Sequence, residues 1–277
     1  MQKFDIINGI GRQLGFVRYL EICTPATGFR FNDVSETVFA VRHRALYNCP
    51  TNHDDGGEVT FRTPDPTSQN LLRGLAANQP DNRYDIVFVD PHHEYDHSFL
   101  DLAGALSILK PGGVLMVHDC NPTSAAMAAP EVTSGLWCGV TYKAFVDFVI
   151  GNPFAGHCTV DADFGCGVIF NTEAAVPAAW RGAGVSPAMA QEWAVLREDD
   201  EKRFGFFEHH RHALLNLITP EAFCAEFPLT QDTIDPIQRP ERASLRARLR
   251  GFVRSWINRV WNRLPGPRPG LGHLPRT

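Results

Sequence analysis

The residues best suited to chemistry lie in one stretch, residues 84–120, with the sequence YDIVFVDPHHEYDHSFLDLAGALSILKPGGVLMVHDC. Two apolar runs in this stretch end in a carboxylate, at Asp90 and at Asp119, and His93 and His118 are close to them in the sequence. Carboxylates bind cations and orient substrates, while an imidazole that titrates near neutral pH can accept or release a proton. These residue types predict a site for acid–base or cation-assisted chemistry.

The pattern around the two acids places them at one edge of a sheet. Residues 85–89 and 114–117 are apolar runs typical of strands covered on both faces, and an amphipathic helix at 97–109 separates them. A strand–helix–strand unit makes the two strands parallel, and ligands of open α/β sheets bind outside the carboxyl ends of the strands. We therefore expect Asp90 and Asp119 to face a shared crevice.

The same alternation continues along the chain. It predicts a leading helix, a series of strands and helices, and a closing pair of strands, which together indicate a doubly wound, three-layer α/β sandwich with a mostly parallel sheet. The other predicted strands are 17–23, 44–47, 58–62, 157–160 and 166–170, and the other predicted helices are 4–15, 68–77, 142–150, 187–198 and 200–217. We predict an α/β domain at 1–172, a helical appendage at 173–238 and a basic tail at 239–277.

Composition excludes several classes of protein. Of 277 residues, 44% are hydrophobic and 21% charged, as in soluble globular proteins, and no apolar run approaches the length of a membrane span. Asp5 and Asn8 interrupt the segment where a signal peptide needs an apolar run. The seven cysteines have no zinc-like or disulfide-like spacing, which favours a reducing cytoplasm.

Charge is divided unevenly along the chain. The basic tail, residues 239–277, contains ten arginines and one acid, a net charge of +9; since the whole chain carries −5, the remaining residues carry −14. Within the tail, 245–264 has an apolar helical stripe flanked by arginines, and a Pro- and Gly-rich end predicts disorder. Such a helix could lie on the inner face of a membrane, or pack on its own domain or on a partner subunit.

Four segments in this order resemble class I S-adenosylmethionine-dependent methyltransferases. The resemblance is to the bacterial O-methyltransferase-like group, which carries a D-x-x-H motif after the fourth strand. The segments are YLEICTPATG (19–28), YDIVFVDPHHEY (84–95), LKPGGVLMVHD (109–119) and DFGCGVIF (163–170). The resemblance implies a Rossmann-like fold with an antiparallel closing strand, and methyl transfer to a hydroxyl of a small molecule or glycan.

The resemblance also implies roles for individual residues. On the acceptor side, Asp90 and His93 would be catalytic, with His93 as general base, and Asp119 would bind a metal or orient the acceptor. A divalent cation such as Mg²⁺ would be held by Asp90, His118 and Asp119, although Asp119 could act by hydrogen bonding alone. The residues implied for S-adenosylmethionine are Glu21, Cys23, Gly28, Asn48, Asp65 and Asp90.

The sequence departs from the family pattern on the cofactor side. Cys23 and Ala26 stand where glycines usually let the backbone approach the cofactor, and Asn48 replaces the acid that usually follows the second strand. These changes leave open a second hypothesis, a catalytically silent scaffold protein docked through its tail. Either protein would be cytoplasmic, with no nucleic-acid partner; a homo-oligomer and peripheral membrane contact are open alternatives.

Overall fold

A computed structural model of the protein describes residues 1–25, 34–49, 59–78, 83–132, 136–172, 175–181 and 184–229. Most of the residues on which the predictions rest fall within these ranges. Gly28, Ala26 and the basic tail lie outside the described residues, so what we predict for them stays a prediction.

Most strands and helices of the described residues are close to the predicted ones, whereas the last strand and the last helix given below were not predicted. The strands are β1 (Arg18–Cys23), β2 (Val41–Leu46), β3 (Phe61–Arg62), β4 (Tyr84–Asp90), β5 (Leu109–Val117), β6 (Gly156–Val160), β7 (Cys166–Phe170) and β8 (Leu217–Ile218). The helices are α1 (Lys3–Leu14), α2 (Gln69–Asn78), α3 (Tyr95–Ile108), α4 (Thr141–Gly151), α5 (Pro187–Val195), α6 (Asp200–Leu215) and α7 (Pro220–Glu226). None of these helices combines the length and the apolar character needed to cross a membrane.

The strands form a single sheet in the order β3-β2-β1-β4-β5-β7-β6-β8. The ladders are parallel except the two that β7 makes with β5 and with β6. The connections run outward in opposite directions from β1 and β4, so the crevice between their carboxyl ends is the switch point where doubly wound folds bind ligands. The predicted doubly wound sheet with one antiparallel closing strand is therefore confirmed.

Apolar cores cover both faces of the sheet, which explains why β4 is apolar along its length. Val87 and Val89 pack on the side of α2, α3, α4, α5 and α6. Ile86 and Phe88 pack on the opposite side, where α1 and α7 lie. A strand buried on both faces has no solvent side on which a polar residue would be favourable, so a charged residue that follows it needs a specific partner.

The glycine turn predicted before residue 114 is part of β5 itself. The ladder pairs Tyr84 with Leu109 and Ile86 with Val114, so the residues between form an irregularity in the strand. Gly112 adopts φ of +76°, a conformation that glycine tolerates without the strain of a β-carbon. β5 is therefore longer than predicted, while β3 is shorter and contains only Phe61 and Arg62.

The segment after residue 184 packs on the same sheet. Phe207 and Leu214 of α6 are buried in the core on the α3 and α4 side, and Phe223 of α7 is buried on the other side. β8 pairs in parallel with β6. The sheet thus extends past residue 172, while the division into three domains stays a prediction.

Candidate active site

The two predicted acids lie on one edge of the sheet. Asp90 is the last residue of β4, and Asp119 lies two residues beyond the end of its neighbour β5. Both are buried, with 2% and 4% of their surface exposed. Because β4 and β5 are adjacent and parallel, their carboxyl ends bring the two side chains to one place.

His93 lies between the two acids. Its Nε2 is 2.9 Å from Oδ2 of Asp119 and 3.7 Å from Oδ1 of Asp90. The ring N–H is not aligned with either oxygen for a good hydrogen bond, so these contacts are ion pairs. Nδ1 of His93 is also buried and has no hydrogen-bond partner among the described residues. A buried imidazole with an unused nitrogen is suited to binding a ligand.

Backbone strain is concentrated around this histidine. His93, Asp119, Asp163 and Phe164 have φ values between +48° and +66°, which residues other than glycine rarely adopt. The carbonyl of His93 accepts a hydrogen bond from the backbone of residue 140 at 2.9 Å. A β-carbon on Gly139 would lie 2.3 Å from that carbonyl oxygen, so glycine is required there. Strained residues of this kind cluster at functional sites.

His118 contacts the same carboxylates from the end of β5. Its Nδ1 is 3.0 Å from Oδ2 of Asp119 and 3.7 Å from Oδ1 of Asp90. On the other side of the ring, Nε2 is 3.6 Å from Oδ2 of Asp163. We call Asp90, His93, His118 and Asp119 the histidine–aspartate centre. The sequence predicted these four members, and the structure brings them together.

Two further members were missed by the sequence analysis. Nζ of Lys3, the first residue of α1, lies 3.0 Å from Oδ2 of Asp90, and the backbone N–H of Lys3 donates to Oδ2 of Asp163 at 2.9 Å. Asp163 follows β6, within the segment whose sequence resembles the family. No sequence signal pointed to Lys3, because it is remote from the motifs in sequence and reaches the centre through the packing of α1.

The cations of the centre hold its carboxylates in the ionised form. Burial alone would raise the pKa of Asp90, but Lys3 and His118 outweigh it, and its pKa lies well below the usual range. Burial also opposes ionisation of Asp119, where His118 and His93 lower the pKa. Both acids are therefore anionic at neutral pH.

The carboxylates in turn keep the histidines protonated. Burial would lower the pKa of His93, but contacts with Asp119 and Asp90 outweigh it and raise the pKa to about 9. The pKa of His118 is likewise raised well above its usual value, against burial, by Asp119 and Asp90. Burial lowers the pKa of Lys3, and Asp90 more than compensates. The centre is a network of opposite charges.

The centre meets only part of what a divalent cation requires. Ligand atoms of Asp90, His93 and Asp119 lie within 4.8 Å of one another, a spacing that one ion could bridge. Asp90, however, already binds the ammonium of Lys3, and Mg²⁺ prefers oxygen ligands to imidazole. The residues as they stand do not fit a metal, and the predicted set of Asp90, His118 and Asp119 stays a prediction.

Glu21 and Cys23 belong to a buried polar cluster at the end of β1. Oε1 of Glu21 is 3.3 Å from Nε of Arg44, and it accepts a hydrogen bond from Sγ of Cys23 at 3.4 Å. The hydroxyl of Tyr19 donates to Oε2 at 3.3 Å. Burial raises the pKa of Glu21 although Arg44 opposes the shift. Since Sγ of Cys23 is turned toward this cluster, the side chain that replaces glycine is accommodated by packing.

Cys23 also lies directly beside the histidine–aspartate centre, since it pairs with Asp90 in the β1–β4 ladder. Farther along the edge, the N–H of Asn48 donates to the carbonyl of Asp65 at 2.7 Å. Asn48 is exposed, with φ of +50°, and the Asp65 carboxylate accepts a hydrogen bond from Asn70 at 3.1 Å. These predicted cofactor residues thus lie along the carboxyl edge of β1, β2 and β3.

Asp101 of α3 is hydrogen-bonded to residues near this edge, a role that the sequence analysis did not predict. Its buried carboxylate accepts hydrogen bonds from Ser68, just before α2, and from the hydroxyl of Tyr47, just after β2, the latter at 2.8 Å. Burial raises the pKa of Asp101 to about 7, against the effect of the two hydroxyls. One acid therefore connects α3 to the two segments that flank Asn48 and Asp65.

A cavity of about 420 Å³ is lined by residues that neighbour His93, while the histidine–aspartate centre itself does not line it. Its walls include Tyr95 at the start of α3, Val140 and Lys143 at the start of α4, and Arg197 between α5 and α6. Tyr95 is two residues after His93 in the sequence, and the backbone N–H of Val140 donates to the carbonyl of His93. We call this the acceptor cavity. Its volume is in the range of small-molecule sites, roughly 300–1,000 Å³.

Residues 27–120, about a third of the chain, match the family model described as a methyltransferase domain. This part of the chain is therefore similar to methyltransferase domains. The match contains Asp90, His93 and Asp119, and it spans the strands from β2 to β5. No curated protein matches the chain significantly.

Solved structures similar to the chain include an O-methyltransferase from Bacillus cereus in complex with SAH. It has 11% identity and a TM-score of 0.43, and the match covers 60% of this chain and 80% of the other. A second is the O-methyltransferase TomG from Streptomyces achromogenes in complex with SAM, with 14% identity, a TM-score of 0.44, and coverage of 61% and 79%. These likenesses are weak, and the named activities and ligands belong to those proteins.

Proposed function

We propose that the protein is a methyltransferase that transfers the methyl group of S-adenosylmethionine to a hydroxyl oxygen of a small molecule. The observation that carries the proposal is the histidine–aspartate centre, which lies inside the methyltransferase domain at the carboxyl edge of its sheet. Buried ionised acids around a strained histidine cost stability, and sites of that kind are common where catalysis requires them.

The cofactor side runs along the ends of β1, β2 and β4. When bound, S-adenosylmethionine supplies an electrophilic methyl group on its sulfonium. The switch point between β1 and β4 suits such a ligand, because Cys23 and Asp90 pair there. Glu21 lies two residues before Cys23, on the same face of β1. We assign Glu21, Cys23, Gly28, Asn48, Asp65 and Asp90 to binding the cofactor.

The acceptor side is His93 with Asp90 and Asp119. Methyl transfer needs an oxygen held in line with the methyl group and a group that takes its proton. We propose that His93 takes this proton in its deprotonated form, while Asp119 orients the imidazole through the 2.9 Å contact. The acceptor cavity beside His93 has a volume that suits a small molecule, and a glycan hydroxyl is the alternative acceptor.

Calorimetric titration with S-adenosylmethionine tests the proposal directly. We expect saturable binding to the wild type and weaker binding to Asp90→Asn. We also expect that Asp90→Asn lowers methyl transfer to a panel of phenols, catechols and free sugars by about 10²–10⁴-fold, the range typical of lost acid–base groups. Asp96→Asn, the same change at an exposed site on α3, is the matched control and leaves binding intact.

The outcome that contradicts the proposal is equally plain. No heat at millimolar cofactor, from a folded wild-type chain, would support the catalytically silent scaffold instead. Unchanged turnover in Asp90→Asn would remove that residue from the mechanism while leaving the activity in place.

We further propose that the basic tail binds an anionic membrane surface, with the domain on the cytoplasmic side. The support is the sequence alone: a helical apolar stripe flanked by arginines, with a net charge of +9 on 239–277. Packing of the tail against a second copy of the chain is the competing hypothesis, and it would make the protein a homo-oligomer.

A further inference from the structure

Lys3 is a built-in part of the histidine–aspartate centre. Its Nζ is 3.0 Å from Oδ2 of Asp90, and 88% of its side chain is buried, since 12% is exposed. Nζ is also 3.5 Å from Nδ1 of His118. Because that nitrogen is also 3.0 Å from Oδ2 of Asp119, Lys3 and His118 are neighbouring cations that share the carboxylates.

The backbone holds the lysine in this place. The N–H of Lys3 donates to Asp163, while Ile6, Ile7 and Ile10 of the same helix are buried in the core. At the start of the helix, the backbone N–H of Gln2 donates to Oδ2 of Asp5 at 2.7 Å, and the N–H of Asp5 donates to the backbone carbonyl of Gln2 at 3.0 Å. The start of α1 is thus fixed against β4 and β7, and the ammonium has little freedom to leave.

Asp90 is the residue for which an ammonium and a divalent cation would compete. A cation bridging Asp90, His93 and Asp119 would lie within a few ångströms of the ammonium and be repelled by it. The ammonium also contacts Oδ2 of Asp90, one of the two carboxylate oxygens through which Asp90 could bind a hard cation. Occupation by either cation therefore disfavours the other.

We infer that the ammonium of Lys3 is the resident cation of this centre and excludes a divalent metal ion from it. Lys3 then supplies the positive charge that keeps Asp90 ionised and in place beside His93. In this role it is a positioning residue that acts through Asp90. The catalytic consequence, methyl transfer without a divalent ion, rests on the proposed function, whereas the exclusion of metal does not.

The test is a titration of the full-length protein with Mn²⁺ alone, followed by electron paramagnetic resonance and by calorimetry. We expect no stoichiometric binding to the wild type at submillimolar Mn²⁺. In Lys3→Met, loss of the ammonium exposes the carboxylates, and we expect one Mn²⁺ site at least about tenfold tighter than any in the wild type. Asp90→Asn in the Lys3→Met background should abolish that site.

Two variants serve as controls. Lys143→Met removes another buried lysine that is paired with an acid, Asp200, so it should create no Mn²⁺ site. Lys3→Arg keeps the positive charge and should remain free of Mn²⁺. If Lys3→Met does not fold, Lys3→Gln replaces it, and its folding is checked by circular dichroism.

The inference is overturned by tight Mn²⁺ binding to the wild type, or by a folded Lys3→Met or Lys3→Gln protein that binds no Mn²⁺. Neither result depends on methyl transfer, so failure here is distinguishable from failure of the proposed function. If transfer is observed, we expect its rate to be unchanged by a metal chelator, and loss of activity with the chelator would also contradict the inference.

Discussion

At the scale of single residues, the site is defined by carboxylates that each contact more than one cation. Oδ2 of Asp119 is approached by His93 at 2.9 Å and by His118 at 3.0 Å, and Asp90 is approached by Lys3 at 3.0 Å. Each charge is buried, so each is tolerable only with its partners. The consequence for chemistry is a histidine that is still protonated at neutral pH.

The pH dependence of methyl transfer follows from that histidine. A general base must be deprotonated, and the pKa of His93 is raised to about 9, so the rate should rise with pH, roughly tenfold per unit, and level off near that value. Initial rates measured from neutral to alkaline pH check this. His93→Gln should lose this rise and His97→Gln should keep it. A rate that is flat across this range would exclude His93 as the base.

At the scale of elements, one acid ties together the helices around the acceptor cavity. Asp147 of α4 accepts hydrogen bonds from Tyr95 of α3 at 2.7 Å, from Trp193 of α5 at 2.6 Å and from Arg203 of α6 at 2.7 Å. The guanidinium of Arg203 also lies 4.1 Å from the centroid of the Trp193 ring. The later helices are therefore fixed to the edge of the site by a buried polar network.

Asp147→Ala should lower the free energy of unfolding by about 3–5 kcal/mol, because it leaves the guanidinium of Arg203, with 2% of its side chain exposed, without its carboxylate. Urea denaturation measures the change. Arg197→Ala is the matched control: this arginine is 4.0 Å from the same acid, but 61% of its side chain is exposed, so we expect less than about 1 kcal/mol. Equal losses in the two variants would contradict the network.

At the scale of the whole molecule, a doubly wound sheet carries the site, and a chain of opposite charge follows it. The sheet brings residues from β1, β4 and β5 to one edge regardless of their distance in sequence. The first 238 residues carry a charge of −14, and the basic tail carries +9. The two parts of the sequence therefore differ in the sign of their net charge, and opposite charges attract different partners.

Deletion of residues 239–277 should abolish binding to vesicles that contain anionic lipid and leave calorimetric binding of S-adenosylmethionine unchanged. The reason is that the arginines and the apolar stripe lie in the deleted part. Vesicle co-sedimentation at low and high salt checks this, since binding driven by charge weakens as salt screens it. A full-length chain that does not co-sediment would end the membrane hypothesis.

Much of the site could be predicted because local sequence encodes it. The apolar runs before Asp90 and Asp119 require strands covered on both faces, and parallel neighbours present their ends at one edge. The order of the family-like segments added the expected fold, and the domain match agrees with it. Local patterning thus determined the sheet, its layers and the identity of the acids and histidines.

Only the tertiary structure decided which charges meet. Lys3 is 87 residues from Asp90 in sequence, and Asp147 binds Arg203 across 56 residues. No periodicity records such contacts, since they depend on how helices pack against the sheet. Sequence also could not show that the side chain of Cys23 turns toward Glu21 and Arg44. This packing explains how the edge of the sheet accommodates a cysteine where the family usually has a glycine. Spacing along a chain fixes the elements, whereas the partners of a buried charge are fixed by three-dimensional packing.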